Sequence, residues 1–354
     1  MGLYIIVFIL LMILALSEVL LKNKKIVYIT SGLMALMAGL RFYTGYDFLS
    51  YSNFYQDVDG LSDVFNGSID AESGYLFLNY VSSEVGLNFY FFILVFSLLS
   101  IGLLTNFLYR YTAYPSMFLF YYFARFYLVR DMGQIRSALA CIILLYAIPY
   151  MIKQKPIQFL LVVLAASLFH VTALFFILAY IFNSVFKKLT AKTIISLLIG
   201  SIAIGLFIQI PQLYIWAVPD RYIAYFTNPV YTNGQWVMNP ILWMQIAIFL
   251  GSFVYYKPVD SEEKSKFEGM LKVYFISSLI LLAAGNLGTV GGRISTLFAT
   301  SEIILVPYFL MNVTKNKFLN LILFCGFTFI IFCLIFIISG AYTEYVPYLT
   351  IFGL

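Results

Sequence analysis

Residues 157–186 read IQFLLVVLAASLFHVTALFFILAYIFNSVF, with no Lys, Arg, Asp or Glu and with the chain's single histidine, His170, near the middle. A membrane-crossing helix needs about 20 apolar residues. The stretch is therefore one long tilted helix or two short helices meeting at a break, and the choice sets the topology of everything after it. Apolar segments are read at 3–21, 26–40, 89–108, 114–129, 135–151, 157–169, 171–186, 193–210, 241–256, 270–286, 294–311 and 318–338. With the N-terminus outside and all twelve crossing, the inside connections hold Arg110 and every lysine, from Lys22, Lys24 and Lys25 through Lys257, Lys264, Lys266 and Lys272 to Lys317. A single helix over 157–186 would invert the downstream half and scatter the lysines over both sides. Basic loops stay on the cytoplasmic side, so the two-helix reading is preferred. It puts His170 at an outer turn.

Composition fits that frame. Of 354 residues, 62% are hydrophobic and 10% charged, against about 25% charged in a typical soluble domain. The mean hydropathy is +0.94. A globule of this size cannot hide so much apolar surface from water. A soluble enzyme, a nucleic-acid-binding protein and a disordered chain are excluded. The expectation is an all-α polytopic membrane protein, a single integral membrane domain over 1–354, with about 12 transmembrane segments, some short or broken. Leu3–Leu21 lacks a basic leader and a small-residue cleavage site, and reads as an uncleaved first helix. The net charge of +5 is scattered over short connections. Cys141, Cys325 and Cys333 lie in apolar runs and read as packing residues. The long outer (periplasmic) loops are 41–88, rich in aromatics and acids and suited to interfacial helices, and 211–240. Loop 257–269 reads as a solvated inner charge run. No internal repeat is visible, and Asn66-Gly67-Ser68 is a sequon of the kind that occurs by chance.

The six basic residues left outside are all arginine: Arg41, Arg125, Arg130, Arg136, Arg221 and Arg293. The positive-inside rule explains why lysine is missing there but not why arginine is kept. Arginine binds phosphate and carboxylate through a planar fork and keeps its charge when partly buried. A charge near the membrane edge is costly and usually faces a cavity or a partner. Two readings stay open: a pyrophosphate-binding cluster, or structural pairing with Asp131, Glu72, Glu84 or Glu302 and snorkelling to headgroups. His170 also carries two readings. An imidazole titrates near neutrality and can take a proton; alternatively it packs against a carbonyl freed at a helix break. One histidine without ligand spacing predicts no metal site. Tyr43, Tyr46, Tyr51, Tyr55 and Tyr75 offer faces to sugar rings or form an interfacial aromatic belt.

These residues fall in blocks. They are Gly39-Leu40-Arg41-Phe42-Tyr43-Thr44-Gly45-Tyr46-Asp47 with Tyr51; Glu72-Ser73-Gly74-Tyr75; Arg130 with Gln134-Ile135-Arg136 and Ala138; Ala165 with Phe169-His170 and Ala173; Gly292-Arg293-Ile294 with Pro307-Tyr308; and Val346-Pro347-Tyr348. In content and order the blocks resemble the EpsG-like, Wzy-type polymerases of bacterial surface polysaccharide such as O-antigen. They cover residues 37 to 350. One departure is Phe48, where a tyrosine often follows the aspartate. The resemblance implies a GT-C-like, lipid-dependent glycosyltransferase of the inner (cytoplasmic) membrane, independent of metal and cofactor, with its site facing the periplasm. It implies an undecaprenyl-pyrophosphate-linked glycan as donor and a lipid-linked repeat unit as acceptor, the chain passing to the unit's non-reducing end. A chain-length regulator and a flippase are the implied partners, with membrane lipid and no nucleic acid. Arg41, Arg130, Arg136 and Arg293 are the candidates for pyrophosphate. His170 is the first choice of base, with Asp47 or Glu72 serving instead or orienting the acceptor. Tyr46, Tyr51, Tyr75 and Tyr348 are candidate contacts for the acceptor sugar.

Three other functions compete. A lipid-linked oligosaccharide flippase suits twelve crossings, but transporters usually show two related halves. A ligase moving finished glycan would use similar outer-face chemistry. A membrane acyltransferase would be expected to draw acyl-CoA from inside, whereas His170 is placed outside.

Overall fold

In the computed structural model the described residues are 1–232, 234–255 and 260–353. Lys257 and the side chain of Arg221, both used in the charge argument, lie outside them. The chain is helical almost throughout. In order the helices are α1 (Gly2–Leu21), α2 (Ile26–Gly39), α3 (Phe48–Asp57), α4 (Leu61–Phe65), α5 (Ser73–Glu84), α6 (Phe89–Tyr111), α7 (Pro115–Tyr122), α8 (Leu128–Arg130), α9 (Ile135–Leu145), α10 (Ile148–Ile152), α11 (Pro156–Ser167), α12 (Ile177–Val185), α13 (Ala191–Ile208), α14 (Asp220–Thr227), α15 (Pro229–Thr232), α16 (Pro240–Tyr255), α17 (Ser261–Ala284), α18 (Gly288–Ala299), α19 (Glu302–Leu310) and α20 (Lys317–Phe332). A π-helical turn, Phe123–Tyr127, joins α7 to α8. The only strands among the described residues are β1 (Arg41–Phe42) and β2 (Leu349–Thr350), paired antiparallel with Arg41 opposite Thr350. The chain divides into two compact units, Met1–Tyr146 with Leu164–Val171 and Val313–Leu354, and Ala147–Val163 with Thr172–Asn312.

The chain is a multi-pass membrane protein, but its spans are uneven. Among the described residues six helical stretches are long and apolar enough to cross a bilayer, namely α1, α6, α9 continued by α10, α13, α17, and α20 continued by the π-helical turn Cys333–Ile338, and a seventh span exists if α18 and α19, bent by 55°, count as one. The other apolar segments are helical but short. α2 has 14 residues and α11 has 12. At 1.5 Å per residue these reach roughly 20 Å, against a hydrocarbon core of about 30 Å. Twelve full-length crossings are therefore not what helix length supports.

In the first unit, α2 lies close against α6. A Cβ on Gly39 would come within 2.6 Å of the Leu94 side chain, and Ser97 Oγ donates to Ala35 O at 2.8 Å. Phe8 of α1 packs on Phe120 and Phe332. Glu18, fully buried, accepts the Ser116 N–H at 2.7 Å at the start of α7, where Pro115 leaves no N–H to satisfy. The loop 41–88 is not irregular. It folds into α3, α4 and α5, whose apolar faces (Phe48, Tyr51, Val64, Tyr75, Leu76) share a core with Phe89, Phe92 and Phe96 of α6.

In the second unit, α11 and α12 turn back on one another. Phe159 meets Phe176 and Tyr180, and Asn183 Nδ2 donates to Met151 O at 3.2 Å. That reversal needs a break at 168–170, as the two-helix reading requires. The expected inner loop 257–269 is corrected by α17, which starts at Ser261, capped by Asp260 accepting the Glu263 N–H at 2.7 Å. Its charged first turns carry i,i+4 pairs such as Lys266–Glu262, which let one helix run from solvent into the apolar layer.

Candidate functional site

Glu72 is the residue before α5, in extended backbone. Two residues on, the Gly74 N–H donates to Leu168 O at 2.8 Å. A Cβ at Gly74 would sit 2.6 Å from that oxygen, so only glycine lets the two backbones approach this closely. The approach delivers Glu72 to His170, which lies just past the end of α11. Glu72 Oε1 is 3.0 Å from His170 Nδ1 and accepts the Val171 N–H at 3.2 Å. The other oxygen, Oε2, accepts from Arg136 Nη1 at the start of α9. The side chains of His170, Glu72 and Arg136 are 18%, 17% and 21% exposed. Burial pushes the Glu72 carboxyl up, but the His170 hydrogen bond and the charge of Arg136 outweigh it and hold the group below its ordinary range. It is therefore an anion at neutral pH. With a carboxylate on Nδ1, the matching tautomer carries its proton there. Nε2 has no hydrogen-bond partner among the described residues.

The aromatic rings have their own duty. The Arg136 guanidinium lies over Phe54 at 5.2 Å and over Tyr51 and Tyr75 at 5.8 Å each. Tyr51 and Tyr75 pack on each other at 5.6 Å and are 2% and 0% exposed. Their faces are taken by the core and by Arg136, so neither presents a ring to a sugar in this arrangement. Phe54 was not singled out by sequence; its place three residues after Tyr51, on the same face of α3, was the available signal.

Arg41 is 1% exposed. Its Nη1 donates to Ala38 O, and Nε and Nη2 have no hydrogen-bond partner among the described residues. It faces Phe48 at 5.7 Å and is within electrostatic reach of Tyr51, Tyr127, Tyr345 and Tyr348. Arg130 is likewise buried, over Phe126 at 4.1 Å. Its neighbour Asp131 accepts from Ser100 Oγ at 3.0 Å and from Tyr122. Asp47 stands at the head of α3, half-buried, after Gly45, whose φ of +102° and contact with Met132 O exclude a side chain. Tyr46 is half exposed and meets Tyr345 edge-on at 5.6 Å. Tyr348 donates to Met37 O at 2.8 Å. Arg293 belongs to the second unit and is exposed on α18.

Five of the sequence candidates thus meet in one cluster: His170, Glu72, Arg136, Tyr51 and Tyr75. Arg41 adjoins it from behind, through Tyr51. An oriented imidazole beside an arginine can take a proton next to a site that holds an anion. No curated protein and no solved structure matches the chain. The model of the EpsG family matches residues 24–350. The match spans the strand that carries Arg41, the Glu72–His170–Arg136 cluster, α18 and Tyr348, and on that coverage the chain belongs to the EpsG family, whose members are Wzy-type polymerase-like.

Proposed function

We propose that this protein is a polysaccharide polymerase of the bacterial cytoplasmic membrane, working at the outer face without metal. The reading takes the short apolar helices as crossings too, twelve in all, with the tip at His170 outside. The donor is a glycan on undecaprenyl pyrophosphate and the acceptor a single lipid-linked repeat unit. A hydroxyl at the acceptor's non-reducing end gives its proton to His170 Nε2. Its oxygen bonds to the donor's anomeric carbon, and the electron pair of the breaking C–O bond leaves on the pyrophosphate. Arg136 is the direct candidate for that charge, and Arg41 and Arg130 add positive field from inside the fold; Arg293, exposed on the second unit, is the candidate that the family resemblance adds. Tyr46, with Asp47 next to it, is the accessible surface for the acceptor sugar, and Tyr348, bonded to Met37 O, is a further candidate.

The observation that carries the reading is the imidazole held at Nδ1 by Glu72 with Nε2 unpartnered, beside Arg136. The test uses purified protein, a synthetic undecaprenyl-pyrophosphate repeat unit and EDTA. A ladder of repeat multiples on a gel supports a metal-independent polymerase. His170→Ala and Arg293→Ala should abolish long chains and leave one-unit product; wild-type lengths in correctly inserted variants would remove these roles. The 55° bend between α18 and α19 favours a second reading, a flippase, because broken helices serve transport sites. Intact substrate moved between liposome leaflets with no ladder would decide for it.

A further inference from the structure

A single carboxylate serves an imidazole and a guanidinium in the cluster. Glu72 Oε1 takes His170 Nδ1 and the Val171 N–H, and Oε2 takes Arg136. The ionisable groups around the imidazole come from three elements: Glu72 and Tyr75 at the start of α5, Arg136 on α9, and Tyr51 on α3. Tyr51 and Tyr75 lie against Arg136 and are within its field. No other carboxylate contacts His170 among the described residues. The histidine's hold on its counter-ion is therefore set by what Arg136 leaves of it.

We propose that Glu72 is a shared counter-ion which couples phosphate binding at Arg136 to the hydrogen bond that holds His170. The physical reason is competition. A guanidinium over three rings has its plane fixed, so it meets an incoming phosphate by redirecting its N–H groups and not by leaving. A phosphate oxygen facing Arg136 draws those N–H groups from Oε2. The charge of Glu72 then falls on the Nδ1–H and the Val171 N–H, and the imidazole is held more firmly with Nε2 as acceptor. When pyrophosphate departs, Arg136 recovers Oε2 and the hold weakens. Glu72 is then a positioning residue that readies the base only when the donor's phosphates are in place. The charge of Arg136 also lies one carboxylate away from the imidazole, so the same exchange relieves a repulsion as a proton arrives at Nε2. This coupling rests on the base-and-arginine roles above for its meaning, but not for its measurement.

His170 is the only histidine, so uniform ¹⁵N-histidine labelling of the full chain in nanodiscs gives one pair of imidazole nitrogens. The probe is inorganic pyrophosphate. The expected result is a saturable downfield shift of the Nδ1 resonance in the wild type. Arg136→Gln should start at the shifted position and not respond, and Glu72→Gln should lose the response. If Glu72→Gln does not fold, Glu72→Asp replaces it: the shorter side chain reaches one of the two donors at a time, and the response is lost. A wild-type Nδ1 signal unmoved across the titration overturns the proposal, as does an equal shift in Glu72→Gln. Chain formation is assayed separately. A responsive protein that makes no ladder removes the polymerase reading and leaves the coupling; a ladder with an unresponsive histidine does the reverse.

Discussion

At the scale of single residues, steric and hydrogen-bonding facts give the sharpest tests. Gly74→Ala places a Cβ 2.6 Å from a backbone oxygen of residue 168, and backbone cannot swing aside as a side chain can. The variant should lose about 1–3 kcal/mol of stability by overpacking, read as a lowered melting temperature in detergent. Chain formation should fall further than melting does, because the same clash parts Glu72 from His170. Glu72→Gln keeps the size and removes the charge. It is expected to lower kcat on the order of 10²-fold with little change in KM, measured with the synthetic lipid substrate. His170, Glu72 and Arg136 were all legible in the sequence as ionisable residues at an outer edge. Their mutual contacts were not, since 64 positions separate Arg136 from Glu72 and 98 separate His170 from Glu72. Tyr51 and Tyr75 show the opposite case. Their chemistry suits a sugar platform, and only packing shows that the rings face Arg136.

Among elements, the contact between the start of α5 and the end of α11 should be pH-dependent. The folded Glu72 carboxyl lies below its ordinary value, so its contribution to stability is complete above the usual carboxylate range. It is lost as pH falls through that lowered value. The Val171 amide, which donates to Glu72, should lose protection relative to its intrinsic exchange rate as pH falls through that value, more so than helix-interior amides of α11. A protection factor that falls no more than theirs would remove this linkage. Within the second unit, Lys272 of α17 is buried and donates to Asn183 Oδ1 and Lys187 O, both at 2.9 Å. It ties the end of α12 to α17. Lys272→Met leaves both acceptors unpaired and should cost about 1–3 kcal/mol, seen as a lower melting temperature. Sequence placed Lys272 among inner loop charges, because a lysine four residues after Glu268 looks solvated until α12 is packed over it.

For the molecule as a whole, the C-terminal segment closes the first unit. Tyr4 donates to Tyr345 O at 2.6 Å, Tyr348 reaches Met37 O, and β2 pairs with the strand holding Arg41. Ending the chain after Ile338 should therefore expose Arg41 and abolish chain formation even where the protein still inserts; a truncated protein with wild-type chain lengths would show that the segment is dispensable. α1 and α20 also flank a cavity of about 770 Å³, lined by apolar side chains such as Phe8, Met12, Leu321 and Phe329, a surface consistent with a bilayer around the unit.

Hydropathy and charge segregation are properties of the chain read in order, and they alone determined that this is a helical, multi-pass membrane protein; they favoured a break at His170, which the packing of α11 and α12 then decided. They also marked the arginines and acids of one side as the place to look. Tertiary structure decided which of those residues meet. Helix length depends on where caps and packing end a helix, so the apolar segments became six or seven long spans and several short ones. The burial of Arg41, the stacking of Arg136 and the sharing of Glu72 arise from contacts between elements far apart in sequence. Such contacts follow from the packing of whole helices, and no local pattern of residue types encodes them.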